Sequence, residues 1–121
     1  MPIPNDYRDI VDMLLKKTDE GNVYWNKEKF DISVSIDGSR FGMWAGNDEN
    51  TEEPFVSFGL QDSKGVTLDS WFVEENEGSD YTLMLRFYQA AKRHAAGVPN
   101  KLEQLRRSIA SSERIGASEE L

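Results

Sequence analysis

The chain contains no cysteine. Disulfides, thiolate metal centres and a cysteine nucleophile are therefore excluded, and the composition fits a reducing compartment. No apolar run reaches the roughly 18–20 residues that a bilayer crossing requires. The first residues, MPIPNDYRD, have neither a basic region nor an apolar stretch, so no signal peptide is expected and a cytoplasmic location is the default. Positive charge is also scarce: 14 Lys and Arg stand against 22 Asp and Glu, for a net charge of -8. Such a chain repels a phosphate backbone, which argues against direct nucleic-acid binding.

The charge that is present is unevenly spread. Between residues 44 and 80, ten acids face one base, Lys64. Between residues 86 and 107, six bases face one acid, Glu103. This polarity bears on association rather than on fold. With 121 residues, 38% of them hydrophobic, the expectation is a single domain over 1–121, with an ordered core at about 5–110 and a fraying tail at 111–121.

Residues 5–18 read as an amphipathic helix with Tyr7, Ile10, Val11, Leu14 and Thr18 on one face, Asn5 as cap and Gly21 at the exit. The stretch NVYW, 22–25, reads as a short strand or an extended entry. In FDISVSI, Phe30, Ile32, Val34 and Ile36 alternate with polar residues, as in a half-buried antiparallel strand. A two-residue turn at Gly38-Ser39 pairs Ile36 with Phe41, Val34 with Met43 and Ile32 with Ala45 in the returning strand 40–46.

A second hairpin, strands 54–61 and 66–74, follows the acidic loop NDENTEE. A three-residue turn with Gly65 left-handed pairs Leu60 with Leu68, Phe58 with Ser70 and Val56 with Phe72. Ser79 or Asp80 caps a helix over 81–96 that Gly97 ends, and a shorter helix at about 99–110 turns Leu102, Leu105 and Ile109 inward. The expected fold is α+β: an N-terminal helix, an antiparallel β-meander of four to five strands, and two C-terminal helices packed on one sheet face as a two-layer sandwich.

Two patterns carry a resemblance. Leu14, Leu15, Thr18, Gly21, Val23 and Trp25 form a helix-to-strand start; Tyr81, Met84, Tyr88, Ala91, Lys92 and Arg93 form a helix signature. Over about residues 10–110 the chain resembles a group of small uncharacterised bacterial α+β proteins. The resemblance implies this fold and no catalytic or binding residues. Some small acidic bacterial α+β proteins are antitoxins or immunity proteins, which is an analogy of fold and charge.

The second sheet face is the place to look for a site. In the register above it receives Gly42, Trp44 and Gly46, then Phe55, Ser57 and Gly59, then Asp69, Trp71 and Val73. Trp44, Phe55 and Trp71 are thus expected to form one aromatic patch flanked by glycines. That patch is a second core covered by the chain itself, a protein interface or a small-molecule site. The antiparallel return brings Glu74, Glu75 and Glu77 beside Asp48, Glu49, Glu52 and Glu53. Seven carboxylates at one sheet end are either a solvated rim or a surface complementary to a basic partner. NDENTEE lacks the spacing of a calcium loop, so no metal or other cofactor is expected. His94, the one histidine, sits where a cation suits a helix end, and no nucleophile elbow accompanies it. The sequence therefore favours a non-enzymatic protein-binding module with a basic partner or a second copy of itself. The alternatives are a small-molecule binder or minor enzyme, and a homo-oligomer of structural role.

Overall fold

The computed structural model describes residues 2–28 and 31–116. Phe30 and the last part of the expected tail, 117–121, lie outside the described residues. A 3-10 turn (Asn5–Tyr7) leads into helix α1 (Arg8–Asp19), followed by β1 (Asn26–Glu28), β2 (Asp31–Ile36), β3 (Ser39–Asn47), β4 (Pro54–Gln61) and β5 (Thr67–Glu74). A second 3-10 turn (Glu75–Glu77), α2 (Ser79–Ala95) and α3 (Val98–Ser111) complete the order. The five strands form one antiparallel sheet in sequence order, with the helices over one face. This is the α+β two-layer arrangement expected.

Apolar periodicity explains the helical layer. Tyr7, Val11, Leu14, Leu15 and Thr18 of the first helical segment are buried, as are Met84, Phe87 and Ala91 of α2. They meet Ile32, Val34, Met43, Val56, Phe58, Trp71 and Val73 from the sheet in one core. Thr18 is buried without cost because its hydroxyl donates to the Leu14 carbonyl at 2.7 Å and accepts from Trp25 Nε1 at 2.9 Å. Ile3 also enters the core, at 2% exposure. Its amide donates to Asp80 Oδ2 at 2.9 Å, and Arg8 grips both oxygens of the same carboxylate. Asp80 thus anchors the N-terminal segment instead of capping α2, whose N-cap is Gly78 with no side-chain bond. Asn5 likewise makes no side-chain cap to α1.

The first hairpin turns one residue earlier than expected. Asp37 and Gly38, with φ of 50° and 78°, are its two central residues, the pairing of Asp and Gly that a type I′ turn favours. Ile32 therefore pairs with Met43, Val34 with Phe41 and Ile36 with Ser39. The shift is two residues, so every side chain keeps its predicted face. Ile36 ends at the hairpin tip, outside the helical cover, and is 38% exposed.

The second hairpin departs further. Its turn is the one expected: Gly65 N donates to Asp62 O, Asp62 N donates to Val66 O, and Gly65 has φ of 84°. Gln61 duly pairs with Thr67, but Leu60 pairs with Asp69. Leu68 is an extra residue, a β-bulge, and beyond it the ladder runs one residue out of the expected phase. A one-residue slip turns every later side chain over. Phe58 pairs with Trp71 and Val56 with Val73, so Trp71 and Val73 face the helices at 4% and 0% exposure, and Phe72 faces away. Trp71 stacks on Phe58 with centroids 4.9 Å apart, and Tyr7 meets the edge of both rings. The expected patch of Trp44, Phe55 and Trp71 is corrected accordingly: Trp71 belongs to the core.

The last helix also differs. The left-handed turn at Gly97 redirects the chain, and α3 packs against α2. Leu102 is half-buried there, but Leu105 and Ile109 are 45% and 57% exposed rather than inward.

Candidate functional site

Among the described residues, helices cover the sheet on one side only. Its other face is read from the register. Ser33, Gly42, Gly59 and Ser70 lie side by side across β2, β3, β4 and β5. Four small residues in a row leave a trough that crosses the strands. Apart from Gly59 and its two chain neighbours, no described residue comes within 4 Å of the place a Cβ on Gly59 would occupy. The cavity above this row measures about 500 Å³. Asp31, Trp44 and Ser57 line it on one side, and Arg40, Gln61 and Thr67 on the other. Arg40 Nη2 donates to Ser33 Oγ at 3.1 Å, which helps to bury that serine.

Beside the trough stands an aromatic group. Trp44 meets Phe55 edge-on at 5.0 Å, and Phe55 meets Phe72 edge-on at 6.1 Å. Trp44 and Phe55 lean over Gly46, where an added Cβ would lie 3.4 Å from Phe55 Cζ and 3.7 Å from Trp44 Cζ3. The glycine thus makes room for the two rings. Trp44 remains 44% exposed and Phe72 42%. Of the three predicted aromatics the structure brings Trp44 and Phe55 together, and Phe72 takes the place assigned to Trp71. Alternation within Leu68, Ser70 and Phe72 was the available signal for this strand; the unseen bulge assigned it to the wrong side.

The acidic end is assembled as the hairpin geometry implies, but its carboxylates are not equivalent. Asp48 Oδ1 accepts from the amides of Asn50 and Thr51 and so shapes the loop. Glu53 clamps the far side, accepting from Asn76 N at 2.7 Å and from Asn76 Nδ2 at 3.3 Å. The two Glu53 bonds hold the start of β4 and the segment after β5 together. Glu74 pairs with Phe55 across the ladder and shares its face, so one acid belongs to the aromatic group itself. Glu49, Glu52 and Glu75 are exposed, with Glu52 in a left-handed conformation at φ of 60°. Glu77 is half-buried. Burial pushes the Tyr81 phenol up, and the nearby charge of Glu75 adds to the effect.

Among the described residues no three His, Cys, Asp or Glu side chains are placed to hold a metal ion. His94 lies on the helical side, beside Asp19, Arg86 and Arg93, rather than on the open face. No described helix is long and apolar enough to cross a membrane. Comparison with models of protein families, with curated proteins and with solved structures yields no match.

Proposed function

We propose that this chain is a protein-binding module whose contact surface is the open sheet face, with Trp44, Phe55 and Phe72 as apolar anchors and Glu49, Glu52, Glu74 and Glu75 as the adjoining charge. One observation carries the reading: exposed aromatic rings share an uncovered sheet face with a carboxylate, Glu74, and continue into an acidic end. Rings supply buried area and carboxylates steer a basic partner. An antitoxin or immunity-type inhibitor, or a protein whose acids imitate nucleic-acid phosphates, has this division of labour. The partner is a basic protein or a second copy of this chain.

The test is affinity capture followed by kinetics with the captured protein. Phe72→Ser should weaken binding, and Glu49→Lys, Glu52→Lys, Glu74→Lys and Glu75→Lys together should slow association. Glu53 is left intact because it clamps Asn76. A partner bound equally well by both variants sinks the proposal.

The trough supports a second reading, a small-molecule site with serines and Arg40 as polar groups. Gly59→Val fills the trough without touching the aromatic group. Thermal stabilisation by a small molecule that vanishes in this variant would favour the second reading.

A further inference from the structure

Helix α3 is amphipathic, yet its apolar stripe is only half used. At about 100° per residue, Val98, Leu102, Leu105 and Ile109 fall on one narrow side of the helix. Val98 and Leu102 are half-buried, whereas Leu105 and Ile109 stand exposed. The same spacing places Lys101 on one border of the stripe and Arg106 on the other. The helix therefore presents aliphatic side chains between two cations. The open sheet face presents the converse, exposed rings with Glu74 among them and the acidic end beside them.

Resting on the reading of that face as a binding surface, we infer that its occupant is helix α3 of a second copy of this chain. The dimensions agree. Residues 103–111, beyond the part of α3 that packs on α2, span about 14 Å, and β3 to β5, which carry Trp44, Phe55 and Phe72, span about 10 Å. A helix laid across neighbouring strands is also the arrangement that α2 adopts on the covered side.

The chain's own α3 cannot serve. It follows α2, which lies on the covered side, after Ala96 and Gly97 alone. Two residues reach about 7 Å, too little to carry the helix round the sheet. In a two-fold pair each copy gives its α3 and receives the other's, so the contact closes. Both partners carry a charge of -8, so local attraction between helix and face opposes the overall repulsion.

Sedimentation of the full chain over a concentration series, at low and high salt, tests the assignment. A dimer that weakens as salt rises is expected. Leu105→Asp with Ile109→Asp should give a monomer, and both positions are exposed enough for the fold to survive. Two charge-reversed chains give the decisive arm. One carries Lys101→Glu and Arg106→Glu; the other carries Glu74→Lys and Glu75→Lys. Each alone should dissociate about tenfold more readily. Mixed together they should associate as the wild type does, because both contacts regain opposite charges. A chain that stays monomeric, a dimer that survives Leu105→Asp with Ile109→Asp, or a mixture that fails to associate overturns the inference. The proposed function fails separately, when Phe72→Ser leaves every association of the chain unchanged.

Discussion

The phase of β5 can be tested by cutting back two neighbouring aromatic residues. Trp71 is 4% exposed and stacked on Phe58; Phe72, the next residue, is 42% exposed and touches the ring of Phe55. A tryptophan buries about 150–250 Å², equivalent to about 4–6 kcal/mol at about 25 cal/mol per Å². Against this stands the indole Nε1, which is buried with no hydrogen-bond partner among the described residues. Its desolvation costs about 1–3 kcal/mol and disappears with the ring. Trp71→Ala should therefore cost about 3 kcal/mol, the lower end for aromatic-to-alanine changes in a core. Phe72→Ala should cost about 1 kcal/mol or less, since half its surface is already in water. A chain of this size has about 5–15 kcal/mol in total, so the first variant loses a substantial share. Urea titration followed by circular dichroism measures both, with the midpoint moving and the slope unchanged. The regular register predicts the reverse order. If Phe72→Ala proves as costly as Trp71→Ala, the bulge at Leu68 and the whole account of the open face are wrong.

Three further outcomes are expected. Gly59→Val should leave the fold intact and raise stability by about 0.5–1 kcal/mol in the same titration, because the site is open and the position is mid-strand. Burial, reinforced by the hydrogen bond to Asp69, pushes the Tyr7 phenol from 10 up to about 12. The folded chain holds this proton more tightly, so its contribution is complete below pH 10 and fades as pH rises to about 12. Tyr7→Phe should remove that alkaline loss and cost about 1–2 kcal/mol at neutral pH. The Arg8 guanidinium holds Asp80 below the usual carboxylate range, burial opposes it, and the Ile3 amide adds to the lowering. That contribution is present above about pH 4 and is lost as acid protonates the folded carboxylate. Asp80→Asn should flatten the acid limb of stability and speed hydrogen exchange at Ile3.

The fold class was legible because periodicity reports faces, and faces determine layers. The first hairpin survived a misplaced turn since a two-residue shift conserves alternation. The second did not survive a correctly placed turn, since one extra residue at Leu68 inverts everything after it. Nothing marks Leu68 as a bulge. Either side of β5, Trp71 with Val73 or Phe72 with Leu68, is apolar enough to pass for the core face, so composition could not arbitrate. The acidic end was legible because it depends only on which strand termini are neighbours. The duties of Asp48 and Glu53 within it were not, being set by loop conformation. For α3, the pattern shows that an apolar stripe exists and is silent on what lies opposite.

The doubled residue in β5 also gives the hairpin a spare unit of length. Loss of Leu68 would leave Asp69 opposite Leu60, still bonded to Tyr7, with a regular ladder and every face unchanged. Loss of Ser70 could be absorbed by straightening the bulge, which would keep Trp71 opposite Phe58 but turn Asp69 away from Tyr7. A related chain one residue shorter in this strand therefore need not have a different interior. Aligned by residue number alone, its buried tryptophan would seem to have changed sides when only the slack has been taken up.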